Sequence, residues 1–119
     1  MKVILLVIII FLFSCGENLT ISESIIDFGE VKPESKHEKF LTIYNRGWSD
    51  VEIDTVLTPC TCTKVEVEKY IIESNDSTEL YLNFESRSRS GKMKKDFTIK
   101  FKNGKSIKAY ITCKVNSIF

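Results

Sequence analysis

The chain has 119 residues, of which 43% are hydrophobic and 28% charged, and its formal net charge is +1 at pH 7. This length fits a single domain of ordinary size, and the hydrophobic share is enough for that domain to bury a core. A net charge this close to zero gives no electrostatic reason to bind nucleic acid, so no nucleic-acid partner is expected.

The first residues have the composition of an export signal. Lys2 precedes an uninterrupted apolar run from Val3 to Phe13, and a positive residue followed by such a run is typical of a secretory signal peptide. A helix needs about 20 apolar residues to cross a bilayer, and this run is much shorter. The pattern therefore favours a cleaved signal over a permanent transmembrane helix.

The end of the run, Leu12-Phe13-Ser14-Cys15, resembles the lipobox of bacterial lipoproteins. That resemblance implies a signal peptide over residues 1–14 and lipidation of Cys15 as the first residue of the mature chain. Residues 15–24 would then form a short tether, and the protein would be exported and anchored by lipid to a bacterial membrane, on its periplasmic or outer-surface side. A soluble secreted protein and an uncleaved anchor remain the alternatives.

Beyond the tether, short apolar and β-branched segments alternate with turn residues. Residues 25–29 form a short predicted strand that ends in glycine. Residues 37–47 form the next, and both of its faces carry apolar side chains before the turn at Asn45 to Gly47. Trp48, in that turn, either anchors a partner or caps the edge of the fold, and the second reading is favoured.

The rest of the chain continues in the same pattern. Alternation predicts strands near residues 51–55, 65–67, 80–84, 97–101 and 107–115, with a hairpin turn at 103–105. Seven or eight short strands over residues 25–119 predict an all-β fold, an immunoglobulin-like antiparallel β-sandwich. A small closed barrel is the alternative.

Two cysteines, Cys60 and Cys62, stand two residues apart in the segment TPCTCT. In an extended chain their Cα atoms would be about 6.6 Å apart, close to the upper limit for a disulfide, so a bridge between them requires a turn. Together with Cys113 they allow one disulfide in any of three pairings. Cys113 shares a predicted strand face with apolar residues, which favours a buried thiol.

The same pair offers two sulfur ligands for a soft ion such as Cu(I). A zinc site is not expected, because the sequence holds a single histidine, His37, and no second cysteine pair. His37 lies at a strand start and is interpreted as a solvated side chain. We therefore predict no cofactor, with copper at Cys60 and Cys62 as the minority alternative.

A cluster of basic residues is predicted on a hairpin loop over residues 85–95. A solvated loop is the simpler interpretation. The alternative is a contact with anionic lipid headgroups or polysaccharide, since a basic residue near a membrane surface adds about 1 kcal/mol of attraction. The residues are Arg87, Arg89, Lys92, Lys94 and Lys95.

Four segments occur in an order that resembles the bacterial family known as domain of unknown function 1573: DFGEVKPESK at 27–36, TIYNRG at 42–47, TPCTCT at 58–63 and RSGKMKKDFTI at 89–99. The resemblance implies an immunoglobulin-like sandwich that is often exported or lipidated. It maps the family's paired cysteines onto Cys60 and Cys62, and its Ser-Gly-Lys onto residues 90–92. Thr61 and Cys113 stand where the family usually has glycine. The family brings no established chemistry.

Catalytic patterns are missing from the sequence. No histidine is arranged beside a cysteine, no pair of carboxylates stands out, and there is no glycine-rich phosphate loop. We therefore predict a non-enzymatic, membrane-anchored envelope lipoprotein without a small-molecule substrate. Its sandwich would bind a protein or another envelope component in adhesion, scaffolding or assembly, for example by strand addition. The alternative is a thiol-based copper-binding or redox protein acting through Cys60 and Cys62.

Overall fold

The computed structural model describes residues 18–87 and 90–116, and all regular secondary structure in these ranges is β-strand. Cys15, Arg89 and the predicted signal peptide lie outside the described residues. No helix within the described ranges is long and apolar enough to cross a membrane. The strands are β1 (Leu19–Ile21), β2 (Ile25–Val31), β3 (Lys36–Asn45), β4 (Val51–Leu57), β5 (Thr63–Val67), β6 (Ile71–Ile72), β7 (Asp76–Glu85), β8 (Gly91–Phe101) and β9 (Ser106–Val115).

The strands form two sheets. Sheet one has the order β1-β3-β7-β5, and sheet two has the order β2-β9-β8-β4-β6. Neighbouring strands are antiparallel except for β2, which runs parallel to β9. This arrangement confirms the predicted all-β, immunoglobulin-like sandwich. It has nine strands instead of seven or eight, because the short β1 and β6 carry too few residues to show alternation.

The core lies between the two sheets and follows from the period-two alternation of the sequence. Sheet one contributes Leu80, Leu82 and Phe84 from β7, all at most 1% exposed, and sheet two faces them with Phe97 and Ile99 from β8. A slip of one residue would move each of these side chains into solvent, so burial fixes the register of both strands.

Strand β1 lies within residues 15–24, for which the sequence predicts a tether. Leu19 to Ile21 pair with the end of β3, from Asn45 to Ile43. Leu19 is buried in the same core as the long strands. The sandwich therefore already includes Leu19, six residues before the predicted boundary at Ile25.

Strand β2 contains a β-bulge between Asp27 and Glu30. Gly29 adopts φ +69°, a conformation that strains any residue with a Cβ, and its N–H donates to Asp27 Oδ1 at 2.9 Å. The extra residue shifts the alternation, so that Val31 instead of Glu30 faces the core.

The predicted basic loop over residues 85–95 is wrong in its boundaries. β7 runs to Glu85 and β8 begins at Gly91, so Lys92, Lys94 and Lys95 are strand residues. Lys92 and Lys94 lie on the solvent face of sheet two, opposite Lys114 and Thr112 of β9. A lysine-rich sequence suits an exposed strand face as well as it suits a loop, so composition did not separate the two.

Core packing should dominate stability. We expect Phe84→Ala to lower the free energy of unfolding by about 3–5 kcal/mol, because a fully buried ring is lost and a cavity remains. The matched control is Phe40→Ala, since Phe40 lies three residue pairs away along the β3–β7 ladder, on the solvent face with 66% of its surface exposed. Guanidinium unfolding should show a loss below about 1 kcal/mol for the control. Equal losses for the two variants would contradict this packing.

Candidate functional site

The turn between β4 and β5 holds the cysteine pair. Cys60 and Cys62 are joined by a disulfide bond, with their Cα atoms 5.1 Å apart. Residues 58–62 form the turn that such a short bridge requires, between the end of β4 at Leu57 and the start of β5 at Thr63. Cys62 is buried and Cys60 packs partly against the core, so the bridge ties the exposed tip at Thr61 to the sandwich.

Arg87, which follows β7, forms hydrogen bonds with Thr61 at the tip of this turn. Its Nη1 donates to Thr61 Oγ1 at 2.8 Å and its Nη2 donates to the Thr61 carbonyl at 3.3 Å. Its Nε also contacts Glu85 Oε2 at 3.4 Å. Arg87 is therefore engaged with the cysteine turn, whereas Lys92 and Lys94 lie on sheet two. The described basic residues do not form one patch.

Cys113 is a free thiol in β9, 5% exposed, on the inward face that the alternation predicts. Burial raises the pKa of the Cys113 thiol, and the Asp27 carboxylate raises it further. Because the thiolate is the reactive form, this environment makes Cys113 inert near neutral pH.

Metal binding by the pair would need a change of oxidation state. In the disulfide the sulfur atoms of Cys60 and Cys62 are bonded to each other, so they become two thiolate ligands only after two-electron reduction. Within residues 18–87 and 90–116, no group of three or more His, Cys, Asp and Glu side chains is close enough to hold a metal ion.

The single histidine belongs to a polar cluster near the start of β3. His37 Nε2 lies 2.7 Å from Ser35 Oγ, and the Ser35 hydroxyl donates to the Lys32 carbonyl at 2.6 Å. Ser35 Oγ also lies 2.9 Å from Ser86 Oγ, so His37 is one member of a cluster that joins the turn before β3 to the residue after β7. His37 is also half-buried with its ring 5.3 Å from Phe28, so the expectation of a solvated histidine is wrong.

Trp48 lies at the opposite end of the sandwich, in the loop between β3 and β4. Its side chain is 98% exposed, so the favoured interpretation as a cap on the sandwich edge is wrong. The loop meets the N-terminal strand, because Arg46 N–H donates to the Asn18 carbonyl at 2.7 Å. We call this end, formed by Asn18 and residues 46–50, the N-terminal pole.

The solvent face of sheet one has an aromatic centre. Phe40 and Tyr81 pair across β3 and β7 with ring centroids 5.1 Å apart. A hydrogen bond with Glu38 raises the pKa of Tyr81, with smaller contributions from burial and from the charge of Glu66. A pocket of about 220 Å³ opens beside these rings. We call this surface the acidic face: Phe40 and Tyr81 surrounded by Glu38, Glu66, Glu68 and Glu79.

The acidic face borders an open sheet edge. Strand β5 pairs with β7 on one side, and no described strand pairs with it on the other. Glu85 N–H donates to the Cys62 carbonyl and Glu68 N–H to the Glu79 carbonyl, so even-numbered residues of β5 direct their backbone groups to β7. Since the two kinds of pair alternate in an antiparallel ladder, Val65 and Val67 direct their N–H and C=O groups outward.

Sequence reasoning did not find the acidic face. The signal was visible at Phe40, because an apolar residue on each face of one strand implies that one of them is exposed or covered by a partner. The four glutamates come from β3, from β7 and from β5 with the bend that follows it, so their proximity appears only once the strand order is known.

The fold and these surfaces define the chain as an immunoglobulin-like β-sandwich domain whose described part carries no recognisable catalytic centre. The model of the HYDIN/CFA65/VesB-like Ig-like domain family matches residues 17–116, and the chain belongs to that family. The prediction of an immunoglobulin-like domain family is thereby confirmed. The family that matches is not domain of unknown function 1573, which the sequence resembles.

Solved structures support the same fold. One is the ASH/PapD-like domain 7 of human CEP192, which is 11% identical to this chain with a TM-score of 0.71. The match covers 89% of this chain and 93% of that domain. Another is the Vibrio cholerae VesB protease, which is 13% identical to this chain with a TM-score of 0.63. The match covers 85% of this chain but 32% of the protease.

A third similar structure is the YadV chaperone, at 8% identity and a TM-score of 0.54, covering 87% of this chain and 53% of that one. At such identities the likeness establishes the fold alone. Comparison with curated proteins finds no significant match.

The cysteine arrangement predicts an order of reactivity. With the native protein and no reductant, we expect iodoacetamide to label none of the peptides that contain Cys60, Cys62 and Cys113. Denaturant alone should expose Cys113, and denaturant with reductant should expose all three, as read by peptide mass spectrometry. Rapid labelling of Cys60 or Cys62 in the native protein without reductant would contradict the bridged turn.

Proposed function

We propose that the protein is an exported, lipid-anchored envelope module that binds an extended segment of a partner protein at the outer edge of β5. The open edge beside the acidic face is the observation that carries this proposal. Immunoglobulin-like and PapD-like domains are often protein-interaction modules, and an exposed strand edge offers backbone groups to an added strand.

Strand β5 is better suited to pairing than the other outer edges of the described sheets. β1 and β6 have three and two residues, β2 is interrupted by its bulge, and β4 has a register shift between Ile53 and Thr55. Short strands and bulges are the usual means of blocking an edge. β5 has five residues, and its pairing with β7 shows no register shift.

The charge of the acidic face indicates the chemistry of the partner. Four glutamates surround Phe40 and Tyr81, and Lys64 contacts Glu66 at 3.5 Å with both side chains exposed. Lys69, next to Glu68, is paired with Asp76 at 2.9 Å. Exposed ion pairs of this kind contribute little in water, and four carboxylates outnumber the two lysines, so the field of the face stays negative. A strand added to β5 would lie about 10 Å from β7, from where long basic side chains reach toward the aromatic centre. The expected ligand is an extended segment that alternates basic and apolar residues.

Location rests on the N-terminal sequence. A signal peptide over residues 1–14, lipid on Cys15 and attachment to a bacterial membrane are proposals drawn from the apolar run and the lipobox. The oxidised pair Cys60–Cys62 suits that setting, because disulfides persist outside the cytoplasm.

Binding without catalysis is part of the proposal. Neither a small-molecule substrate nor a resident cofactor is expected. The alternative, a thiol-based copper or redox protein, is favoured only by the closeness of Cys60 and Cys62. It predicts that activity disappears in Cys60→Ser/Cys62→Ser, whereas a binding module should keep its partner in that variant.

A peptide titration followed by backbone-amide NMR tests the edge. The probe alternates arginine and valine, and the control peptide alternates glutamate and valine. We expect the basic peptide to shift the amide signals of Val65 and Val67 and the acidic peptide to leave them unchanged. Reversing two charges with Glu66→Lys/Glu79→Lys should weaken binding by about tenfold or more.

Val65→Pro is the matched backbone variant. Proline removes the outward N–H of Val65 and no bond of the ladder to β7, so the fold should persist while peptide binding is lost. Val67→Thr is its control, since it keeps the backbone donor. Equal binding of both peptides, or binding that survives in a folded Val65→Pro variant, would refute edge recognition.

A further inference from the structure

Trp48 is a large apolar side chain that the fold leaves almost wholly in solvent. It is 98% exposed, more than any other large hydrophobic residue of the described chain. Burying a side chain of this size removes about 150–250 Å² of surface from water, which is worth several kcal/mol at about 25 cal/mol per Å². The fold forgoes that gain although the neighbouring core is well packed, so the exposed ring is expected to have another contact.

The loop that carries Trp48 is fixed by buried hydrogen bonds. Asn45 is 1% exposed, and its side-chain oxygen accepts from Gly47 N–H at 3.0 Å while its Nδ2 donates to the Ser49 carbonyl at 3.0 Å. Ser74, which precedes β7, also binds the loop: its hydroxyl donates to the Gly47 carbonyl and its N–H donates to Asp50 Oδ1. The loop that carries Trp48 is therefore held by hydrogen bonds to both Asn45 and Ser74.

The same loop touches the point where the chain enters the sandwich. A Cβ placed on Gly47 would lie 3.2 Å from Asn18 Cβ, so the two segments are in close contact. Cys15 precedes Asn18 by three residues, a distance that an extended chain covers in about 11 Å at most. A lipid on Cys15 would hold the N-terminal pole close to the bilayer surface.

The side chains at this pole suit the interface between lipid and water. Tryptophan and tyrosine rings favour the headgroup region, where one part is apolar and another hydrated. Next to Trp48, the guanidinium of Arg46 lies 5.3 Å from the centroid of the Tyr44 ring, and both residues are exposed. The pole and the adjacent end of β3 therefore offer two aromatic side chains, Trp48 and Tyr44, and the Arg46 cation for lipid phosphates.

The predicted lipid contact of Lys92 and Lys94 fits this anchor less well. β8 begins at Gly91, at the opposite end of the sandwich, and pairs along its whole length with β9, which starts beside the N-terminal pole. A ten-residue strand is about 33 Å long. The two lysines would reach the headgroups only if the domain lay on sheet two.

We propose that Trp48 inserts into the headgroup region of the membrane and orients the sandwich with its N-terminal pole toward the bilayer. The occupant of the surface is a lipid bilayer. This inference rests on the proposed lipidation of Cys15, because the anchor supplies the proximity that a single tryptophan cannot provide.

Trp48 is the one tryptophan of the chain, so its fluorescence reports the contact directly. The acylated full-length protein would be reconstituted into vesicles of phosphatidylethanolamine and phosphatidylglycerol, with and without brominated acyl chains. We expect a blue-shifted emission that brominated lipid strongly quenches. Two control variants move the single tryptophan to another surface. Trp48→Phe/Phe40→Trp places it on the acidic face, and Trp48→Phe/Leu57→Trp places it on sheet two. Brominated lipid should quench the fluorescence of neither variant.

Each contrary result has a distinct meaning. Quenching at position 57 with none at position 48 would mean that the domain lies on sheet two and would overturn the inference. Trp48 shielded from iodide in native membranes but not quenched by brominated lipid would assign the residue to a protein partner. Intact mass without lipid on Cys15 would refute the anchor itself, whereas an acylated protein with unquenched Trp48 would refute only the orientation.

Discussion

The buried amide of Asn45 is the interaction on which the N-terminal pole depends. Its oxygen accepts from Gly47, and its nitrogen donates to Ser49 and to the Ile72 and Glu73 carbonyls. One side chain thus joins the end of β3, the β3–β4 loop and the segment that leads into β7. Most buried polar groups have their hydrogen bonds made, because an unpaired one is costly, so these three segments are ordered together.

That connection links the two surfaces to which we assign function. β7 is an inner strand of sheet one, where it carries Tyr81 on its solvent face and pairs with both β3 and β5. Its start is placed by Asn45, and its far end meets the cysteine turn through the hydrogen bond from Glu85 to Cys62. The open edge of β5 is therefore supported by a neighbouring strand, β7, that is fixed at both ends, which favours recognition by a preformed edge.

The sequence was most informative where one face of a strand is buried. The alternation of Phe97, Ile99 and Phe101 was sufficient to predict the second half of β8 and its core face, and the inward position of Cys113 followed in the same way. It failed where tertiary contacts replace periodicity. β1 has three residues and depends on its pairing with β3, and the lysines of β8 read equally well as loop or strand.

The candidate surfaces were predictable only in part. The spacing of Cys60 and Cys62 showed that a bridge between them would need a turn, but the choice among the three pairings and unbridged thiols required three-dimensional distances. The sequence left two interpretations of Trp48, and its exposure excludes the cap on the sandwich edge. The acidic face depends on strand order, because its glutamates come from segments that only the sheet brings together.

The central claim is that a lipid-anchored sandwich stands on its N-terminal pole and leaves the edge of β5 free for a partner. Hydrogen exchange of the acylated protein, compared between detergent and lipid vesicles, tests it most directly. The account predicts slower exchange on vesicles in residues 46–50 and unchanged exchange at Val65 and Val67. Protection of β5, or of β8 and β9 without any change in residues 46–50, would contradict it.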